Sequence, residues 1–73
     1  MAFAGKKGDR VRMVFMPNDP DPIPAGTEGT VIDVQHIDWG HDKFSQVVME
    51  WDNGRTLSCV CPPDFLEIIS PAQ

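Results

Sequence analysis

The sequence predicts an all-β domain, a small five-stranded SH3-like barrel with a proline-rich first loop and a short 3₁₀ turn before the last strand. Three observations carry this expectation. Apolar residues alternate or run in short blocks, and none recur at helical spacing. Seven prolines and six glycines punctuate the chain, with prolines clustered at positions 17, 20, 22 and 24. Asn53-Gly54 sits between two apolar runs, a strong short-range hairpin signal. Five short strands separated by a long loop, a middle loop, a tight hairpin and a short turn give the order of an SH3-like barrel. Closure of that barrel would remove exposed strand edges.

The first strand is expected over Asp9 to Met16, with Val11, Met13 and Phe15 on one face and Arg10 and Arg12 on the other. Pro17 stops it. Residues 17–26 follow as a stiff, polyproline-like surface loop, because proline lacks the N–H of a ladder and biases its predecessor toward extended geometry. The second strand begins near Thr27 or Gly29 and runs to about His36. Adjacent Val31 and Ile32 break the alternation, so a bulge or bend is expected near Gly29. Ile37 to Lys43 reads as a polar loop around Gly40. The third strand spans about Phe44 to Trp51, with its facing left open by Val47-Val48-Met49. A type I′ turn at Asn53-Gly54 would set Asp52 against Arg55, Trp51 against Thr56 and Val48 against Cys59. The fourth strand is then Arg55 to Val60. Cys61 to Phe65 forms a turn or a single 3₁₀ turn, with Asp64 as a local cap. Leu66 to Ser70 is the last strand.

Length and charge bound the function. The 73 residues suit one domain, 1–73, with a core over about 8–69, frayed ends and a monomeric state. Such a core leaves no room for a large buried catalytic cavity, and an enzyme is not expected. No apolar run exceeds four residues, the length of Met13 to Met16, so neither a membrane span nor a signal segment is read. The location expected is the cytoplasm of a bacterial host cell. Net charge is −5, unevenly placed: residues 1–12 hold four bases and one acid, and residues 13–73 hold two bases and ten acids. An acidic body repels phosphate, so nucleic acid is a disfavoured partner.

Several motifs resemble a family of small bacterial and phage proteins catalogued as a domain of unknown function. They are Gly8-Asp9-Arg10-Val11-Arg12, then Asp21-Pro22 with Pro24, then Gly26-Thr27-Glu28-Gly29-Thr30-Val31, then Trp51-Asp52-Asn53-Gly54, and finally Asp64. The similarity covers roughly residues 8–69. It implies an SH3-like barrel and a phage or mobile-element setting, and it implies no activity. Short stretches of this kind also recur in KOW and tudor-type barrels, and fold does not supply function.

Candidate sites follow from residue chemistry. Cys59 and Cys61 would point to one face of a strand, too far apart for a disulfide, and read as reduced thiols. With His36 and His41 they are the only soft metal ligands. C-x-C is a poor clamp, and no metal or cofactor is expected; a zinc-stabilised fold using these two thiols and two imidazoles is the third alternative. Asp19-Pro20-Asp21 starts like a calcium loop, but Ile23 and Thr30 stand where ligands are needed. No nucleophile has an evident base beside it. Pro17-Asn18-Asp19-Pro20 lacks the basic neighbour of an SH3 ligand. The two loops of the barrel mouth would instead gather Asp19, Asp21, Ile23, Trp39 and Asp42. Trp39 and Ile23 would be the apolar anchors in a ring of carboxylates, a surface suited to a basic protein or peptide. The function expected is a non-catalytic interaction module, with inhibition of a host nucleic-acid-binding protein as its sharper form. The rival is a KOW-like nucleic-acid binder using Lys6, Lys7, Arg10, Arg12 and Arg55.

Overall fold

Alternating apolar residues build five antiparallel strands, β1 (Arg10–Phe15), β2 (Glu28–Trp39), β3 (Asp42–Trp51), β4 (Cys59–Cys61) and β5 (Phe65–Ser70). The computed structural model describes residues 3–72. The strands form one sheet in the order β4-β3-β2-β1-β5, with no helix among the described residues. The all-β, five-strand expectation holds. The sheet is barrel-like but does not close, because β4 and β5 remain its two edges. β4 is only three residues long, and Pro62 and Pro63 follow it with no N–H to offer.

β3 alternates strictly, with Ser45, Val47, Met49 and Trp51 buried and Val48 on the outer face. This settles the facing that Val47-Val48-Met49 left open. Val11, Met13, Val31, Cys59 and Cys61 line the same inner side. Burying each large apolar side chain stabilises the fold by about 1.5–3 kcal/mol. The Trp51 indole N–H also donates to the Leu57 carbonyl at 2.9 Å, so its one polar atom is satisfied. Phe15 departs from the expected inner face and is 58% exposed, because a register shift between Met13 and Phe15 turns it outward opposite Phe65.

The bulge in β2 lies at Ile32 rather than at Gly29. The β2–β3 register runs Val31↔Met49 and then Asp33↔Val48, leaving Ile32 as the extra residue. Gly29 has a different role. A Cβ there would stand 2.8 Å from the Trp51 ring and 2.9 Å from the Glu50 carbonyl oxygen.

The β3–β4 connection also differs from the type I′ expectation. Only Gly54 has positive φ, at 89°, whereas a type I′ turn needs it at both central residues. The Gly54 amide donates to the Trp51 carbonyl, and the Trp51 amide donates to the Arg55 carbonyl. This is a three-residue loop with glycine in the left-handed position. It places Val47, not Val48, opposite Cys59, and β4 begins only at Cys59. The Cys61–Phe65 connection is a turn rather than a 3₁₀ helix. Asp64 does cap it: its carboxylate accepts from the Val60 amide at 2.9 Å, and its own amide donates to the Val60 carbonyl.

Residues near both ends make specific contacts. Phe3 is 8% exposed in the core, and its amide donates to the Ser45 hydroxyl. Buried Asp9 accepts from the Lys6 amide at 2.9 Å and the Ala72 amide at 2.6 Å. Those two amides, Ala72 first, hold its carboxyl below the usual aspartate range. Gln73, expected to fray, lies outside the described residues.

Candidate functional site

Gly40 makes the site. Residues 37–43, expected as a loop, are instead strand almost throughout, because Gly40-His41 is a two-residue hairpin turn. Gly40 has φ 68° and His41 does not have positive φ, the glycine-first pattern of a type II′ turn. β1 pairs with β2 only as far as Thr30, and β4 pairs with β3 only as far as Ser45. Beyond those points β2 and β3 pair with each other alone and run on as a two-stranded ribbon to Trp39 and Asp42.

Trp39 stands at the tip of this ribbon, 72% exposed. Its ring meets Phe44 edge-on, with centroids 5.8 Å apart and planes at 89°. That is a diagonal cross-strand pair, favourable by about 0.5–1.5 kcal/mol beyond area burial. Ile37 is paired with Phe44 and extends the apolar stripe on the same face. Asp42 pairs with Trp39 across the tip, and Asp38 pairs with Lys43, whose ammonium lies 3.9 Å from its carboxylate. At the base of the ribbon the His36 ring Nδ1 is 2.8 Å from the Ser45 hydroxyl. Ser45 is fully buried, so that hydroxyl ties the ribbon to the N-terminal segment through the Phe3 amide.

The expected five-residue face is not assembled. Ile23 is 2% exposed and belongs to the core. Backbone bonds from Met13 to Thr27, from Gly26 to Met13 and from Thr27 to Pro24 draw the loop over the inner side of β1, and Ile23 is the aliphatic side chain it delivers there. Asp19 and Asp21 lie elsewhere. Asp19 accepts from the Asp21 amide, and the Arg55 guanidinium donates to the Asp21 carbonyl at 2.9 Å. Arg55 flanks the Trp51 end of β3, whereas Asp42 is its first residue. Nine residues of strand separate those ends by about 30 Å. Of the five, the structure brings together Trp39 and Asp42. Sequence reasoning missed Asp38, Ile37 and Phe44 as their neighbours. Gly40-His41, with Ile37, Trp39 and Phe44 interleaved among polar residues on either side, was the signal available.

The alternative cationic set is largely occupied by acids. Arg10 donates to both Asp52 carboxylate oxygens, at 2.8 and 2.5 Å, and reaches Glu28 at 3.5 Å. Asp52, on its side, is held below the usual aspartate range by that guanidinium. Arg12 donates twice to one oxygen of Glu67. Arg55 is held by the Asp21 and Pro22 carbonyls and by the Asp21 carboxylate at 3.5 Å. Lys6 and Lys7 are exposed.

The two thiols share the inner face, as i and i+2 on a strand should, and both are free. Burial pushes the Cys61 thiol up to about 11 and drives Cys59 further in the same direction. Both shifts favour the neutral thiol over the thiolate. No cluster of three or more His, Cys, Asp or Glu suited to a metal ion occurs among the described residues. His36 is engaged with Ser45, and His41 sits in the tip turn.

A barrel-like five-stranded sheet with a projecting ribbon is the class of domain these elements define. The chain belongs to the family described as Domain of unknown function (DUF4314), whose model matches residues 4–69. No curated protein and no solved structure matches it. No helix among the described residues is long and apolar enough to cross a membrane.

Proposed function

We propose that the domain is a non-catalytic protein-interaction module, and that the β2–β3 ribbon is the part that binds. The observation that carries this reading is Trp39, exposed at the end of a ribbon that pairs with no third strand and is flanked by Asp38 and Asp42. Tryptophan is enriched at binding hot spots, and the flanking carboxylates favour a basic partner surface. The domain's net charge of −5 steers such a partner toward it. A phage or mobile-element setting, a bacterial cytoplasm and a host nucleic-acid-binding protein as target extend the same proposal. Kinship with SH3-like barrels belongs to it as well, from motif resemblance and strand order. The ion pairs of Arg10, Arg12 and Arg55 weigh against the nucleic-acid reading, since each cation would have to exchange a carboxylate for a phosphate.

The test is capture of partners from a nuclease-treated bacterial lysate, followed by titration of the captured protein. Trp39→Ala is expected to weaken binding by about 2 kcal/mol or more, roughly thirty-fold, with a melting temperature lowered by only a few degrees through loss of the Phe44 pair. Capture of nucleic acid, or of proteins that vanish after nuclease treatment, overturns the reading in favour of Lys6 and Lys7. Equal binding by the Trp39→Ala protein removes the ribbon from it.

A further inference from the structure

β4 and β5 are consecutive in the chain yet form the two ends of the sheet. Between them, beside the Pro62-Pro63-Asp64 turn, opens a recess of about 490 Å³. That volume is within the range of ligand pockets. Its walls are apolar, built by Phe3, Cys61, Pro62, Leu66, Phe65 and Ile68. Phe65 is 60% exposed and Ile68 39%.

The charged side chain in this wall is Asp64. It also lines a second recess of about 290 Å³ together with Asn18, Asp19, Ser58, Val60 and Pro63. Burial first, and the nearby Asp19 carboxylate as well, push the Asp64 carboxyl up against the Val60 hydrogen bond that stabilises its charge. Two carboxylates thus share one recess, and no cation forms an ion pair with either among the described residues. Next to them runs the edge of β5, which pairs with β1 on one side alone. Its six residues span roughly 20 Å.

We propose that this seam binds an extended peptide segment of a partner protein, which adds as a strand to β5, seats a large apolar side chain in the recess and sets a Lys or Arg against Asp64 and Asp19. Strand addition supplies main-chain hydrogen bonds, and the recess supplies selectivity. The acid pair decides the class of occupant. A second copy would bring another net charge of −5 to an acidic edge. A purely apolar small molecule would leave both carboxylates without a cation and the outward β5 amides without acceptors. This surface is separate from the Trp39 ribbon and does not depend on it.

The test is selection of a displayed library of random peptides, about twelve residues long to span β5, on the full chain. The selected peptide is then titrated by fluorescence anisotropy. Selected peptides are expected to carry an apolar residue beside a Lys or Arg, and to shift the amide resonances of Phe65–Ser70. Phe65→Ser, at an exposed position, is expected to weaken binding at least about ten-fold. Asp64→Asn keeps an oxygen for the Val60 amide and is expected to erase the preference for the basic residue over glutamine. Trp39→Ala is expected to bind as the parent does. No enrichment, enriched peptides without a cation, or resonance shifts confined to other strands would each overturn the proposal. So would a wild-type dimer that Phe65→Ser dissolves.

Discussion

Asp9 couples the fold to acidity. Its carboxylate accepts two backbone amides, so its folded pKa lies below the unfolded value of about 3.9. A group depressed in this way contributes stability above its unfolded pKa and loses that contribution as pH falls toward its folded pKa. Asp9→Asn turns an amide N–H toward a position that needs an acceptor. Its melting temperature at neutral pH is expected to drop by roughly 5 °C or more. The gap to the parent should narrow as pH falls below about 4. A gap that stayed constant with pH would mean the carboxylate's charge is not what stabilises the ends. Residue roles of this kind were only partly legible. The alternation around Arg10-Val11-Arg12 announces a strand, but nothing local announces that Asp9 receives an amide from residue 72. Trp39 beside Gly40 was readable as a binding anchor, but its exposure was not, because a ring folded back over the barrel mouth fits the same sequence. Ile23 was not readable as core, because a proline-rich stretch leaves its side-chain direction to tertiary contacts.

Among the elements, the two hairpins show where sequence reasoning holds and where it stops. All five strands were legible from apolar alternation and turn residues, to within a few positions for four of them. Register was not, because one residue of loop length decides it: Asn53-Gly54 announces a hairpin, but the extra residue in its loop moves Cys59 from Val48 to Val47. Two glycines, Gly54 in the turn and Gly29 within β2, give a graded test. At Gly54 a Cβ meets open space, so alanine costs only the left-handed backbone, about 1 kcal/mol. At Gly29 the φ is ordinary, but a Cβ collides with Trp51 and with the backbone of Glu50, and overpacking costs about 1–3 kcal/mol. Gly29→Ala is therefore expected to lower the melting temperature more than Gly54→Ala. The reverse order would mean that Trp51 yields easily and that this part of the core is loose. For the ribbon, Gly40-His41 was the missed signal, and the polar residues around it disguised two strands as a loop.

At the scale of the whole molecule the sheet is a thin body, with extents of 35, 33 and 16 Å. Its buried side chains come from the region where three or more strands overlap, and the ribbon extends beyond them. A two-stranded hairpin alone is marginally stable in water. Amides of residues 37–44 are therefore expected to exchange with solvent far faster than those of Val11, Val31, Val47 and Met49, whose opening approaches global unfolding. Uniform protection along β2 and β3 would show the ribbon to be as firmly held as the core. Partner binding at Trp39 should slow the ribbon amides selectively. The clasp at Asp9 has an architectural consequence as well. Because positions 6 and 72 meet on one side chain, a polypeptide enters and leaves the domain at a single doorway. A module with that geometry can be spliced into a surface loop of a larger chain, or sealed head to tail into a ring, without prising its strands apart.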